Sequence, residues 1–187
     1  MKKFFTDRLK SCPIIAGVKD IDNLEKALES DCNVIFLLCG NIFNLAECVN
    51  RAKEKNKLVF IHVDLIEGFS RDSVALRYIS EQIKPDGIIS TKNNLLKSAK
   101  SLGLLTVQRV FIIDSLSICT AIKASQTIEP DAVEIMPGIM PRITKQLSAS
   151  LDVPVIVGGL ISHKEEIDMA LENGALGVSA SSEKLWR

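Results

Sequence analysis

A chain of 187 residues, 47% of them hydrophobic, is long enough for one domain with a sizeable core and too apolar to stay disordered. Its 23 basic residues balance 23 acidic ones, which excludes a general electrostatic attraction to nucleic acid or anionic membrane and leaves only a local patch for a polyanionic partner. The N-terminal eight residues turn charged after Phe4-Phe5, no signal region follows and no run is long enough to span a bilayer, so a cytoplasmic protein with no membrane partner is expected.

In chain order, short apolar runs alternate with longer amphipathic ones. The apolar runs occupy residues 13–18, 34–39, 58–63, 87–90, 105–110, 132–136, 155–157 and 175–179. They are almost continuously apolar, as strands covered on both faces must be. Between the first and second, Leu24, Ala27 and Leu28 follow a 3.6-residue period, and Leu45, Cys48, Val49 and Ala52 do so after the second. Asp20 and Ser70 are placed to cap helix starts, and the stretch from Ser162 to Glu165 has capping-box spacing. Gly103 and Gly174 stand where helices should end. Eight strand–helix alternations predict a single (β/α)8 barrel over residues 1–187, with short helices, short loops and no inserted lid. The last helix is cut to a stub over residues 182–187, closed by Trp186.

The stretch Val155-Ile156-Val157-Gly158-Gly159-Leu160-Ile161 reads as strand, glycine turn and onward chain. Gly174-Ala175-Leu176-Gly177-Val178-Ser179-Ala180-Ser181 follows as strand and small-residue turn. Strand ends of this kind present bare backbone N–H groups and hydroxyls to an anion. In such barrels the loops after strands seven and eight form the usual phosphate seat. Gly158, Gly159, Ser179 and Ser181 are therefore the candidate phosphate ligands; a plain tight turn is the alternative reading of the two glycines.

Other chemistry should stand at the remaining strand ends. Those ends carry Lys19, Cys39, His62 with Asp64, Lys92, Arg109 and Glu134. A polar residue on a buried strand costs free energy unless it is paired or holds a ligand. Asp64 and Glu134 thus either hold a polar ligand below the phosphate or form an interior ion pair with Lys19 or Arg109. Gln108 and Arg109 are neighbours and cannot both face inward; Arg109 is the preferred one. His62 reads as a satisfied interior histidine and His163 as a solvated residue at a helix start. The five cysteines contain no CxxC pair and read as small buried hydrophobes, with neither a disulfide framework nor a zinc site. Cys39 has no base beside it in sequence to activate it as a nucleophile.

Several ordered blocks together resemble the glycerol-uptake operon antiterminator regulatory proteins. The blocks run from Ser11-Cys12-Pro13-Ile14-Ile15-Ala16 and Val18-Lys19-Asp20, through His62-Val63-Asp64-Leu65-Ile66-Glu67-Gly68 and Asp86-Gly87-Ile88-Ile89-Ser90-Thr91-Lys92. They continue with Gln108-Arg109, Glu134-Ile135-Met136-Pro137-Gly138, Gly158-Gly159-Leu160-Ile161 and Ser179-Ala180-Ser181. The resemblance covers almost the whole chain. It implies a non-enzymatic sensor whose effector is glycerol 3-phosphate, whose target is leader mRNA and which needs no cofactor or metal. It also implies that Lys19, Asp64, Glu67, Arg109 and Glu134 line the glycerol end or its supporting shell.

For the RNA side the sequence offers the run Arg51, Lys53, Lys55 and Lys57, and second the cluster Lys2, Lys3, Arg8 and Lys10. Solvated surface charge is the alternative reading of both. With aromatics at 5% of the chain, no aromatic RNA-stacking signature stands out. The expected mechanism is linkage: the ligand favours one conformation or homo-oligomer, and that form binds RNA better. The rival expectation is a phosphosugar or phosphopolyol enzyme on the same barrel, with Asp64 or Glu134 as general base and Lys19 or Lys92 as electrophilic partner.

Overall fold

Parallel strands buried on both faces need helices outside them, and the chain supplies one after nearly every strand. The computed structural model describes residues 2–187, which begin with helix α1 (Lys2–Ser11). There follow β1 (Ile14–Val18), α2 (Leu24–Glu29), β2 (Val34–Leu37), α3 (Leu45–Glu54), β3 (Leu58–His62), α4 (Ser73–Tyr78) and β4 (Gly87–Ser90). The second half runs through α5 (Asn93–Ser101), β5 (Leu105–Phe111), α6 (Ser115–Ile128), β6 (Ala132–Met136), α7 (Pro141–Ser150), β7 (Val155–Gly158), α8 (Lys164–Glu172) and β8 (Gly177–Ala180). Strands pair in sequence order, all parallel, and β8 closes on β1 with Ala16 opposite Ala180. The predicted (β/α)8 barrel is the fold.

Alternation along each strand divides the apolar residues into two populations. Ile15, Val34, Phe36, Phe60, Ile89, Val107 and Ile156 fill the barrel interior, while Ala16, Val18, Ile35, Ile61, Ile88, Ile135 and Val157 pack under the helices. In the interior, Phe60 meets Phe36 at a ring-centroid distance of 5.6 Å and Phe5 at 4.7 Å. Phe5 belongs to α1, which the sequence reading left as a charged leader. Its apolar residues Phe5 and Leu9 are one helical turn apart and fully buried, plugging the N-terminal end of the barrel. A two-residue apolar stripe on so charged a segment is too faint to signal a helix; the open barrel floor gives it a place to bury. Burial of each such side chain contributes about 1.5–3 kcal/mol.

The helix boundaries follow local chemistry. Asp20 caps the 3-10 turn at Ile21–Asn23 by accepting from the Asp22 amide. Asp72, not Ser70, caps α4, accepting at 2.9 Å from both Val74 and Ala75 amides. A carboxylate is the stronger acceptor at a helix N-terminus. The capping box before α8 is shifted by one residue: Glu166, rather than Glu165, accepts from the Ser162 and His163 amides. Gly103 and Gly174, at φ +78° and +93°, end their helices as predicted. The eighth helix is reduced to a 3-10 turn, Glu183–Leu185, followed by buried Trp186. The indole Nε1 donates to the Ala180 carbonyl at 2.8 Å, and the Trp186 carbonyl accepts from Asp31. This one side chain seals the β8–β1 seam where a helix would otherwise lie.

Gly87 sets the width of the interior at β4. A β-carbon there would lie 2.5 Å from the Phe60 ring and 2.6 Å from the Leu105 carbonyl oxygen. Gly87→Ala is therefore expected to destabilise the fold by about 1–3 kcal/mol through overpacking. That corresponds to a fall of very roughly 2–12 °C in melting temperature for a domain of this size. Calorimetry of the variant checks this; an unchanged melting temperature would mean that Phe60 is free to move aside.

Candidate functional site

The C-terminal ends of the strands open on a cavity of about 270 Å³. It is built first from a turn. After β7 the chain passes through Gly159 (φ +77°) and Leu160 (φ +62°), both in the left-handed region. A leucine rarely adopts that conformation, and its presence here marks a turn held by its surroundings. Gly158 and Ser179 are register partners, so the β7 and β8 ends stand side by side. Lys19, Arg109, Glu134, Gly159, Ser179 and Ser181 line the cavity. Gly158, a predicted phosphate ligand, is not among the lining residues. Asp64 and Glu67 do not line it.

The cavity lining includes an ion pair. Arg109 Nε donates to Glu134 Oε2 at 2.7 Å, and both residues are buried. They face each other across the β5–β6 register. Arg109 therefore takes the inward position, while Gln108 faces the helix layer with its amide 3.4 Å from Asn93 Oδ1. The alternative left open for Glu134, an interior pair with Arg109, is thus the one present, yet it uses only half the carboxylate. Glu134 Oε1 has no partner among the described residues. A β-carbon at position 158 would lie 2.7 Å from that oxygen, so only glycine leaves it room.

Asp64 has a different task. Its Oδ2 accepts from Ser90 Oγ at 2.8 Å and from the Thr91 amide at 3.0 Å, tying the ends of β3 and β4 together. Glu67 exchanges backbone hydrogen bonds with Gly40 and Ile42 and leaves its side chain exposed, which fastens the loop after β3 to the loop after β2. His62 is buried in the interior with its Nδ1 unpartnered, 3.9 Å from Asp64 Oδ2. Burial first, and then the Arg109 guanidinium, push its pKa down to about 4 against the pull of Asp64, so the imidazole is neutral at physiological pH. Burial likewise pushes the Cys39 thiol up to about 11, which leaves no thiolate for nucleophilic chemistry.

The basic run lies on the outer flank rather than at the mouth. Arg51 pairs with Glu25 of α2, and Lys53 reaches the Lys84 carbonyl and Asp86. Lys57 donates to the Cys32 carbonyl at 2.8 Å, and Lys55 is exposed at the end of α3. At the other candidate cluster Arg8 donates to Asn33 and lies over the Phe4 ring. Among the described residues no cluster of His, Cys, Asp and Glu could hold a metal, and no helix is long and apolar enough to cross a membrane.

Six lining residues, Gly17, Leu38, Leu65, Met136, Leu160 and Ile161, were not named as site residues from the sequence. Gly17 sits inside β1, where an added β-carbon would be 3.1 Å from the Ala180 carbonyl oxygen. An isolated glycine in a strand was the available signal. Leu160 carried none, since its positive φ is visible only in the folded backbone.

Fold and site together define a (β/α)8 barrel with a polar-lined cavity at the C-terminal ends of its strands. Residues 14–186 match the family described as glycerol-3-phosphate responsive antiterminator, and the chain belongs to that family. It is 36% identical over 178 residues to the Escherichia coli K12 protein YgcP, covering 95% of this chain and 93% of that one. The crystal structure of a glycerol uptake operon antiterminator regulatory protein from Listeria monocytogenes 4b F2365 is similar at TM-score 0.89 and 34% identity, over 94% and 95% of the two chains. An antiterminator-related protein from Thermotoga maritima MSB8 is similar at TM-score 0.82 and 30% identity, over 92% and 96%. An N-acetylmannosamine-6-phosphate 2-epimerase from Clostridium perfringens, at 14% identity and TM-score 0.70, shares the fold alone.

The neutral His62 makes acid stability a measurable consequence. Its proton is bound near pH 4 in the folded protein and near 6.5 in the unfolded one, so the unfolded chain holds more protons between those values. Stability should therefore fall as pH drops from 6.5 towards 4, by up to about 1.4 kcal/mol per unit and about 3 kcal/mol in all from this residue. Urea unfolding of the parent and of His62→Gln at pH 7, 6 and 5 checks it; equal slopes in the two proteins would remove His62 as the source.

Proposed function

We propose that the protein is a glycerol-3-phosphate sensor that controls transcription termination of glycerol-use genes by binding leader mRNA. The observation that carries this reading is the cavity itself. Gly159, Ser179 and Ser181 offer small, donor-rich walls at two adjacent strand ends, with exposed Lys19 at the rim and the Arg109–Glu134 pair beneath. In this reading Gly158, Gly159, Ser179 and Ser181 form the phosphate seat, and Lys19, Arg109 and Glu134 meet the glycerol end. Asp64 and Glu67 act as the supporting shell, since their bonds fix the loops around the mouth. Arg51, Lys53 and Lys55 are the patch assigned to RNA. No cofactor is needed, and the protein acts in the cytoplasm. The RNA-binding form is a ligand-favoured conformer or homo-oligomer, and the exposed Phe111, Ile113 and Leu116 at the β5–α6 corner support self-association.

One observation favours a second reading, a phosphopolyol enzyme. His62 Nδ1, Asp64 Oδ1 and Glu134 Oε1 are three buried polar atoms without partners. Such atoms are costly unless a ligand or a reaction uses them. Phosphorus NMR of the protein with glycerol 3-phosphate and dihydroxyacetone phosphate separates the readings; turnover abolished by Glu134→Gln or Asp64→Asn establishes the enzyme.

Glycerol 3-phosphate should raise the melting temperature by about 5–10 °C at about 100 times its dissociation constant, where linkage contributes about 2.7 kcal/mol. Glycerol alone should not do so. Gly159→Val, which forces a branched side chain into a left-handed backbone position, should abolish the shift in a protein whose circular dichroism is unchanged. Equal shifts with inorganic sulfate and glycerol 3-phosphate count against a dedicated site.

RNA binding should be confined to one patch and coupled to the ligand. About three to six phosphate contacts give a slope of log affinity on log salt of about −2 to −4. Replacing Arg51, Lys53 and Lys55 by Gln should weaken binding to the leader RNA of a glycerol-use operon and leave the thermal shift intact. Coupling is reciprocal, so the factor by which glycerol 3-phosphate tightens RNA must equal the factor by which RNA tightens the ligand. Titration of each in the presence of the other measures it, and RNA binding that leaves ligand affinity unchanged rules out the sensor mechanism.

A further inference from the structure

We infer that the free oxygen of Glu134 reads the hydroxyl on the carbon next to the phosphate-bearing carbon, so that the site takes a phosphorylated alcohol and rejects the ketone of the same skeleton. The inference rests on the phosphate seat proposed above and adds to it a specificity-determining residue.

Glu134 is fully buried, and its two oxygens are unequal. Oε2 is taken by Arg109 Nε at 2.7 Å, while Oε1, buried in a residue that lines the cavity, has no donor among the described residues. Its position relative to the seat follows from Gly158. The point where a β-carbon at 158 would stand is 2.7 Å from Glu134 Oε1 and 3.3 Å from Ser179 Cβ. The free oxygen thus lies one residue before Gly159, beside Ser179, just beneath the seat. An ester oxygen and one carbon separate a seated phosphate from the next carbon, which brings that carbon's substituent to the level of Oε1. A carboxylate oxygen only accepts hydrogen bonds. A hydroxyl satisfies it by donating. A carbonyl at the same carbon sets lone pairs against lone pairs and leaves a buried charged acceptor unpaired. Lys19, the other cation on the cavity wall, is exposed at the rim and leaves Oε1 to the ligand.

Isothermal titration of the unaltered protein with glycerol 3-phosphate, dihydroxyacetone phosphate, 3-hydroxypropyl phosphate and inorganic phosphate tests this. Glycerol 3-phosphate should bind about 100-fold more tightly than the ketone, and clearly more tightly than 3-hydroxypropyl phosphate, which lacks the hydroxyl. Equal affinity for glycerol 3-phosphate and dihydroxyacetone phosphate overturns the inference and leaves the phosphate seat standing. Failure of all four to bind overturns the seat, and the inference with it. In Glu134→Gln the amide can donate as well as accept, so the alcohol-to-ketone ratio should shrink to within about tenfold. An unchanged ratio in a folded Gln variant also overturns the inference; if that variant does not fold, the ligand series on the unaltered protein decides.

Discussion

Closing eight parallel strands into a ring creates an interior that must be filled, because a void in a packed core forfeits contacts on every side. The chain fills it differently at its two ends. At the N-terminal end the filling is apolar: Phe5 and Leu9 of α1 with Phe36, Phe60, Leu58 and Leu105. Towards the C-terminal end it becomes polar, with His62, Arg109 and Glu134 projecting inward from β3, β5 and β6. The sealed floor gives the barrel its stability, and the polar upper layer gives it a site. Gly87 and Gly158 belong to the same scheme, one making room for the Phe60 ring and the other for the Glu134 carboxylate.

The Arg109–Glu134 ion pair is buried, and its own contact is a poor source of stability. Taking two charges out of water costs several kcal/mol per ion, and a single 2.7 Å contact offsets this only in part. An apolar pair at these positions would pack as well and leave no residual demand. What the pair provides is a fixed, half-satisfied acceptor beside Gly158 and Ser179. His62 adds a neutral imidazole to the same layer, held neutral by burial and by the arginine beside it. In the proposed function, such a layer would distinguish ligands by which groups they donate, while the seat above it would require only an anion.

Much of the fold was legible because the signals are local and repeated. Eight apolar runs, the glycines ending helices at Gly103 and Gly174, and the shortened C-terminus closed by Trp186 all follow from residue type and spacing. Helix α1 was not legible, since its burial depends on an opening formed by strands far along the chain. The capping choices at Asp72 and Glu166 were displaced by one or two residues from the sequence expectation, because several acceptors stood close together and only the backbone trajectory selects among them.

For the site, the sequence by itself determined which residue types stand at the strand ends, because the strand periodicity fixes where each strand stops and which residues follow it. It placed Gly158-Gly159, Ser179 and Ser181 at neighbouring ends and put Arg109 and Glu134 on strands five and six. Only the tertiary structure decided how these residues divide the work. The β5–β6 register brings Arg109 against one oxygen of Glu134 and leaves the other free, and Gly158 on β7 leaves that oxygen its space. The same closure turned Asp64 and Glu67 away from the cavity to tie adjacent loops, and set Arg51 and Lys53 against the neighbouring helix layer. Whether a buried polar atom is satisfied depends on neighbours that are distant in sequence, and a barrel assigns those neighbours only once its eighth strand has met its first.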